Sequence, residues 1–311
     1  MPIARITELR SIELGVPDLD HSSNFYQAVW GLQEVVSDGD TVHLRGTCAE
    51  HHVVTLRQRP RAALLGVRFS ASDRNAITEL HAKAKAYGTD GLTAPAELAR
   101  TAGGGYGFRF NTPDGLPLAI SADVIMHPDV VTDRSRPTKL THVVLNSARI
   151  DEQTAFFKDL LGFRHSDSTE MMEFIRCCAD HHSVAFARGN GPSLNHMAYE
   201  MPNIDGLMRG TGRMKQNGFN IEWGVGRHGP GNNVSPISSS RTASSPNTPP
   251  RWSRSTRRPT CPTRPSTGPN SPAVHAAGIW PGIRRTACAP PWAARFSPRW
   301  KVRTRTCVAK T

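Results

Sequence analysis

The sequence predicts an α+β fold of two domains, each formed by two βαβββ modules that curve into a half-open barrel. Two observations lead to this prediction. Long segments of the chain recur later at a constant spacing, and short alternating strands follow the predicted helices of the repeat. A module of this size exposes one apolar face, so two modules must pair to bury it.

The repeat is clearest between residues 9–32 and residues 140–163. Each segment contains an apolar strand, a polar turn, an amphipathic helix and a glycine that ends the helix. The matched pairs are Leu9 with Leu140, Asp20 with Asp151, Phe25 with Phe156, Tyr26 with Phe157, and Gly31 with Gly162. The strands predicted next are Thr41–Arg45 and 52–56 in the first copy, and Met172–Arg176 and 183–187 in the second.

A second repeat, at nearly the same spacing, predicts the other module of each pair. Residues 66–69 match residues 196–199. The helices that follow are expected to end at Gly88 and Gly218. In the first copy residues 108–120 form a predicted hairpin, because Pro113-Asp114-Gly115 between apolar alternations is typical of a tight turn.

Charge separates residues 235–311, called the tail here, from the rest of the chain. The formal net charge is +12, yet residues 1–234 contain 24 basic and 26 acidic residues, whereas the tail contains 14 basic residues and no acidic ones. The tail also holds 13 of the 24 prolines and has no Leu, Met or Tyr. We expect a disordered tail, because it cannot bury enough apolar surface to offset its ordering entropy.

The abrupt change at Ser235 suggests a shifted reading frame. The fourth module should continue with a hairpin like residues 108–120, but the tail begins there instead. One permitted codon choice for residues 235–250, read with one added T, gives Phe-Ser-Tyr-Phe-Val-Glu-Pro-Asn-Gly-Phe-Val-Ala-Glu-Tyr-Thr-Thr. This has the shape of the missing hairpin. We interpret the tail as out of frame; a genuine basic tail is the alternative.

Two histidines occupy matching strand positions in the second domain. His142 lies in its first predicted strand and His196 in the first strand of the next module. The restored frame adds a glutamate at the place of Asn247. A strand histidine is usually a core residue, but two histidines and one carboxylate with open positions are typical of non-haem Fe(II) oxygenases. The corresponding first-domain residues are Ser11, Gly66 and Ala119.

Four motifs give the chain a family resemblance: Thr141-His142-Val143, residues 181–186, Asn195-His196-Met197 and residues 226–230. Together they resemble the type I extradiol ring-cleavage dioxygenases of the vicinal oxygen chelate superfamily, such as catechol 2,3-dioxygenase and dihydroxybiphenyl dioxygenase. The fold that the resemblance implies is the glyoxalase/bleomycin-resistance/dioxygenase type.

The resemblance also implies roles for single residues. His142 and His196 would bind Fe(II), with Mn(II) as the alternative metal. His182 would be the acid–base histidine, and His228 would hydrogen-bond the substrate or an intermediate. A tyrosine restored at the place of Ile237 would lie beside a substrate hydroxyl. Without the resemblance, His182 and His228 could equally be surface residues of turns.

The implied function is Fe(II)-dependent extradiol cleavage of a catechol-type ring, with insertion of both atoms of O2, in aromatic-compound catabolism. Residues 1–127 would form a non-catalytic domain, residues 137–234 the catalytic domain with a truncated fourth module, and residues 235–311 the tail. The expected partners are a small aromatic diol and O2, in a cytoplasmic homo-oligomer if the intact frame is expressed. We expect neither a membrane segment nor an export signal, because the sequence has no run of 18 apolar residues and its first residues lack an apolar stretch.

Three other hypotheses stay open. The chain could be an inactive or non-catalytic small-molecule-binding protein on the same scaffold, because fold does not fix function. It could be an isomerase-like relative that uses another metal, although His182 argues against this. The basic tail could bind nucleic acid, which would require a salt-dependent affinity that is lost with residues 235–311; we do not expect it.

Overall fold

The computed structural model describes residues 6–128 and 133–239, together with short strands at 251–256 and 276–278. The first sheet has eight strands in the order β2-β3-β4-β1-β5-β8-β7-β6. These strands are β1 Ile6–Val16, β2 Gln33–Asp38, β3 Thr41–Arg45, β4 Val54–Gln58, β5 Ala63–Ala71, β6 Ala96–Glu97, β7 Tyr106–Asn111 and β8 Pro117–Ala122.

The second sheet has nine described strands in the order β10-β11-β12-β9-β13-β16-β17-β15-β14. They are β9 Leu140–Ser147, β10 Arg164–Thr169, β11 Met172–Arg176, β12 Val184–Arg188, β13 Ser193–Met201, β14 Ile221–Arg227, β15 Val234–Ser239, β16 Arg251–Thr256 and β17 Ala276–Gly278. Apart from β17, this order repeats that of the first sheet. The expected pair of α+β, two-module sheets is therefore confirmed.

Four α-helices connect the strands within the described residues. They are α1 Leu19–Asn24, continued by a π-helical turn at Phe25–Trp30, α2 Arg74–Tyr87, α3 Ile150–Asp159 and α4 Ile204–Gln216; short 3₁₀ turns lie at Arg100–Ala102 and Pro230–Asn232. The Asp73 carboxylate accepts the Ala76 N–H at 2.8 Å and caps the start of α2. The helix ends where Gly88 takes a positive φ of 76°, as its position in the repeat predicted. Within the described residues, no helix is long and apolar enough to cross a membrane.

One apolar core joins the two sheets. Phe157, on α3 of the second half, lies edge-on to Phe69 of β5 in the first, with ring centroids 6.1 Å apart. In the opposite direction, the Trp30 ring of the first half lies 5.0 Å from Tyr199 of β13. These exchanged contacts hold the sheets together, so the second sheet and its site depend on packing from the first.

The tail differs from the expected disorder in three stretches. Val234–Ser239, Arg251–Thr256 and Ala276–Gly278 are strands of the second sheet. Pro236 is tolerated in β15 because the β14–β15 pairing is irregular between Trp223 and Gly226, and proline is found at such bulges. The fourth module therefore continues beyond residue 234. Other parts of the tail, including Asn247, lie outside the described residues.

Candidate active site

Three histidine side chains meet on adjacent strands of the second sheet. His142 of β9 and His196 of β13 are diagonal neighbours, because Ala198 pairs with His142 and Val144 with His196. Their ring centroids are 5.6 Å apart. His182 lies just before β12, the parallel neighbour of β9, and its ring centroid is 4.1 Å from that of His142.

The His196 ring is oriented by a row of amide side chains. Its Nδ1 lies 2.9 Å from Asn195 Oδ1, which can only accept, so Nδ1 donates and Nε2 keeps its lone pair. Asn195 Nδ2 donates to Asn146 Oδ1 at 2.8 Å, and Asn146 Nδ2 donates to Ser193 Oγ at 3.0 Å. Such outer hydrogen bonds fix the tautomer and direction of a metal-binding histidine.

Burial keeps His196 neutral. Loss of hydration, followed by the nearby His228, lowers the pKa of His196 to about 3. His142 is almost fully buried, and its Nδ1 lies 3.2 Å from Thr141 Oγ1. A neutral imidazole is the form that binds a divalent metal, so His196 suits such an ion, and the His142 ring lies beside it.

The described residues contain no group of three His, Cys, Asp or Glu side chains arranged to hold a metal ion. The position assigned to the third ligand, Asn247, is outside the residues that the structure describes. The donor set in view is therefore His142 and His196, two of the three ligands that the resemblance implies.

His182 is buried between aromatic rings. Its centroid lies 5.1 Å from that of Phe174, and its Nδ1 is 3.0 Å from Nδ1 of His181. The two adjacent rings are perpendicular, at 89°. The His181 ring also lies near Phe174, with centroids 5.8 Å apart, and its Nε2 is 3.8 Å from Asp167 Oδ2.

His228 follows β14 and is held by the first residue of the tail. Its Nε2 lies 2.6 Å from Ser235 Oγ, and its ring packs on Trp223 with centroids 4.5 Å apart. Burial lowers the pKa of His228. In the register of β14 and β15, Ile237 pairs with Trp223. His228 and the position assigned to the tyrosine therefore flank the same indole.

The first half of the chain contains a histidine cluster that the sequence patterns did not predict. His51 and His52 lie next to each other with their Nδ1 atoms 2.9 Å apart. The His43 ring centroid is 4.6 Å from that of His52. The spacing that relates residues 66–69 to residues 196–199 also relates His51 and His52 to the pair at 181–182. The repeat alone could therefore have identified the two pairs as counterparts.

Where the second sheet has His142 and its neighbours, the first has a buried ion cluster. The Glu13 carboxylate accepts Arg68 Nη2 at 2.9 Å and Arg57 Nε at 3.1 Å. Burial alone would raise the pKa of Glu13, but the charge and hydrogen bonds of the arginines outweigh it and hold the pKa low.

Glu13→Gln should therefore destabilise the protein by about 3 kcal/mol near pH 7, the low end for removing one charge of a buried pair. Because the folded-state pKa of Glu13 is lowered, this contribution is complete above the unfolded pKa of about 4.3 and is lost as pH falls through the folded pKa. Urea unfolding at several pH values should show the difference from the original chain shrinking below about pH 4.3. Glu79→Gln, on the exposed face of α2, should show no such pH-dependent loss.

Comparison with known proteins places this geometry in a family. Residues 139–236 match the sequence profile of the Glyoxalase/Bleomycin resistance protein/Dioxygenase superfamily. The solved structure of a Mn(II)-bound glyoxalase from Novosphingobium aromaticivorans is 40% identical, with a TM-score of 0.72 over 76% of this chain and 79% of that one. The chain belongs to this superfamily.

Relatives within the superfamily bear dioxygenase names. A manganese-dependent 2,3-dihydroxybiphenyl 1,2-dioxygenase of Geobacillus genomosp. 3 is 26% identical over 73% of this chain and 79% of its own length. A biphenyl-2,3-diol 1,2-dioxygenase of Metapseudomonas furukawaii is 28% identical over 51% of this chain and 58% of its own length. The resemblance to a family of extradiol ring-cleavage enzymes is thus confirmed.

The fold agrees over a longer stretch. A 2,3-dioxygenase from Pseudomonas sp. KL28 superimposes with a TM-score of 0.71 over 85% of this chain and 97% of that one, at 20% identity. At this identity the likeness is one of fold. The shared fold covers both halves of the chain.

Proposed function

We propose that this chain descends from an enzyme that opens a catechol-type ring beside its two hydroxyl groups with O2, using a divalent metal held by His142 and His196. The metal is Fe(II), with Mn(II) as the alternative. The observation that supports this proposal is the meeting of His142, His182 and His196 on adjacent strands. The dioxygenase names of its relatives support the substrate class.

The buried His142 and the partly buried His196 suit a divalent ion, and the carboxylate restored at the place of Asn247 would complete the set of ligands. When bound, such an ion supplies Lewis-acid activation of the diol hydroxyls. The protein keeps the ligand His196 in the orientation and protonation state that bind a metal. Asn195 fixes the His196 tautomer, and burial keeps His196 neutral, so its Nε2 is available across the physiological pH range.

His182 is the proposed acid–base residue. Its Nδ1 is engaged by His181, so proton exchange with a ligand beside His142 falls to Nε2. The ring is nearly buried and packs on Phe174, which excludes water and strengthens its interaction with charge that develops on oxygen.

His228 is the proposed substrate-binding residue. A hydrogen bond with the first residue of the tail interferes with that role. Ser235 occupies His228 Nε2 at 2.6 Å, the atom through which the ring would otherwise reach a ligand. In the restored frame a phenylalanine replaces Ser235 and this hydrogen bond is absent. The restored chain should therefore have a free His228 Nε2 as well as a third ligand.

A second function has one observation in its favour. The described residues present two of three metal ligands, and this fits a non-catalytic binding protein on the same scaffold. Such a protein would bind an aromatic diol without consuming O2.

The test compares two chains. One has the sequence given above and is called the printed chain; the other, the restored chain, is encoded by a gene with one base added before codon 235. Both are loaded with Fe(II) or Mn(II) and given catechol or 2,3-dihydroxybiphenyl, while oxygen consumption, bound metal and diol binding are measured. Oxygen uptake by the restored chain supports the enzyme. A restored chain that retains metal and binds diol without oxygen uptake would favour the binding protein.

We expect only one metal site per chain, in the second half. Ser11 and Gly66 stand where His142 and His196 lie in the repeat, and neither is a metal ligand at that position. The restored chain should bind about one equivalent of metal, the number expected for one three-ligand centre. Anomalous diffraction at the metal edge would locate it; a peak beside Ser11 and Gly66 would contradict the expectation.

A further inference from the structure

Two arginines flank a small residue on the first sheet. Ala119 of β8 pairs with Arg68 of β5 on one side and with Arg109 of β7 on the other. Neighbouring strands lie about 4.8 Å apart, so the two arginines stand about 10 Å apart at the backbone, with only a methyl group between them. Their long side chains can therefore converge on a ligand above Ala119.

The inner arginine is incompletely satisfied. The Arg68 side chain is 9% exposed, and its Nη2 donates to Glu13 Oε2 at 2.9 Å. Its Nε, also buried, has no hydrogen-bond partner. The other Glu13 oxygen already accepts Arg57 Nε, so this carboxylate is shared between two guanidinium groups. The single negative charge of Glu13 cannot also neutralise the charge of a third arginine.

Arg109 is that third arginine. Within residues 6–128 and 133–239, no hydrogen bond or ion pair joins its guanidinium group to an acceptor. Arg68 and Arg109 both line two adjoining cavities, of about 450 Å³ and 260 Å³. Partial burial, followed by the charge of Arg68, lowers the pKa of Arg109, and burial followed by the charge of Arg68 lowers the pKa of His43 in the same cavity to about 4. The cavity therefore disfavours further positive charge.

Two aspartates, Asp38 and Asp40, also line the larger cavity, and the second is paired with other arginines. Asp40 is half exposed and pairs with Arg57 at 3.2 Å and with Arg59 at 3.2 Å. It is thus already engaged by two other arginines, although it lines the same cavity as Arg68 and Arg109. Arg109 is exposed, so an anion can reach it from solvent, and the nearly buried Arg68 side chain lies beside it in the cavity wall.

We propose that the first half of the chain binds a small oxyanion, of carboxylate or phosphate type, between Arg68 and Arg109 above Ala119. Guanidinium groups form paired, charge-assisted hydrogen bonds with such anions. The ligand would pair with the Arg109 guanidinium group and with the part of the Arg68 side chain that lines the cavities. This site is separate from the histidine face of the second sheet and does not depend on the function proposed for it.

The experiment uses the full chain at low ionic strength. Benzoate and inorganic phosphate are titrated separately by calorimetry, and melting temperature is followed with each anion. We expect saturable binding of at least one anion. Arg109→Gln should weaken it by about 10-fold or more, because a charge-assisted hydrogen bond is lost. Arg61→Gln removes the same charge from an exposed residue outside both cavities and should change affinity less than about twofold.

A second variant tests the position between the arginines. Ala119→Glu builds a carboxylate into the ligand's place, so it should abolish anion binding and raise the melting temperature without ligand. Unchanged binding in Ala119→Glu would overturn the proposal, as would no saturable binding of either anion, or equal weakening by Arg61→Gln and Arg109→Gln. If Ala119→Glu does not fold, the two arginine variants still decide.

Discussion

Replacing His142 or His196 by alanine should abolish metal retention in the frame-restored chain, whereas replacing His182 should not. Each of the first two removes a coordinate bond, and the expected loss of metal affinity exceeds about 100-fold, the upper range for losing only an outer partner of a ligand. His182→Ala should keep the metal and slow turnover by about 10²–10⁴-fold, the usual cost of losing an acid–base group.

The measurement is metal content per chain after gel filtration, together with oxygen uptake on a diol. His165→Ala is the matched control, because His165 is an exposed histidine of β10 in the same sheet, bonded to Ser168 and Glu173. It should change neither quantity. Equal metal loss in the His142, His182 and His196 variants would contradict the division of roles, and full retention in all of them would place the metal elsewhere.

The two sheets could be predicted from the sequence because the second half of the chain repeats the pattern of the first. Strands of the first half recur in the second half at a similar spacing, so a weak apolar alternation was supported twice. The predicted strands Thr41–Arg45 and Met172–Arg176 match β3 and β11 residue for residue. The strand expected at 52–56 forms two residues later, at Val54–Gln58.

Other features depended on strand register, which the sequence does not reveal. The hydrogen bond between Asn195 and Asn146 requires β13 and β9 to pair as they do. The same holds for Arg68 and Arg109. They are distant in the sequence and lie on either side of Ala119 because Ala119 pairs with both. Composition predicted a disordered tail but carries no information on strand pairing, so it could not predict that β15 pairs with β14, with Pro236 at an irregular point of the ladder.

The printed chain should turn over catechol-type substrates at least about 100-fold more slowly than the chain restored by one base, an estimate based on the cost of losing even an outer ligand contact. Three effects act together. The printed chain offers His142 and His196 without the charge-neutralising carboxylate, so metal affinity falls. Ser235 engages His228 Nε2. The residue at position 237, which pairs with Trp223, is isoleucine rather than tyrosine.

The assay follows the yellow ring-cleavage product under protection from oxidation, with the same concentration of added Fe(II) for both chains, and bound metal is measured beside it. Two variants separate the effects. In the printed chain, Asn247→Glu supplies a carboxylate without the restored strands, and Ser235→Ala frees His228 without a new ligand. Neither alone should recover the restored rate, because a metal ligand works only when the strand that bears it is in register with β13. A printed chain that turns over at the restored rate would show that the third ligand is not the carboxylate at the place of Asn247.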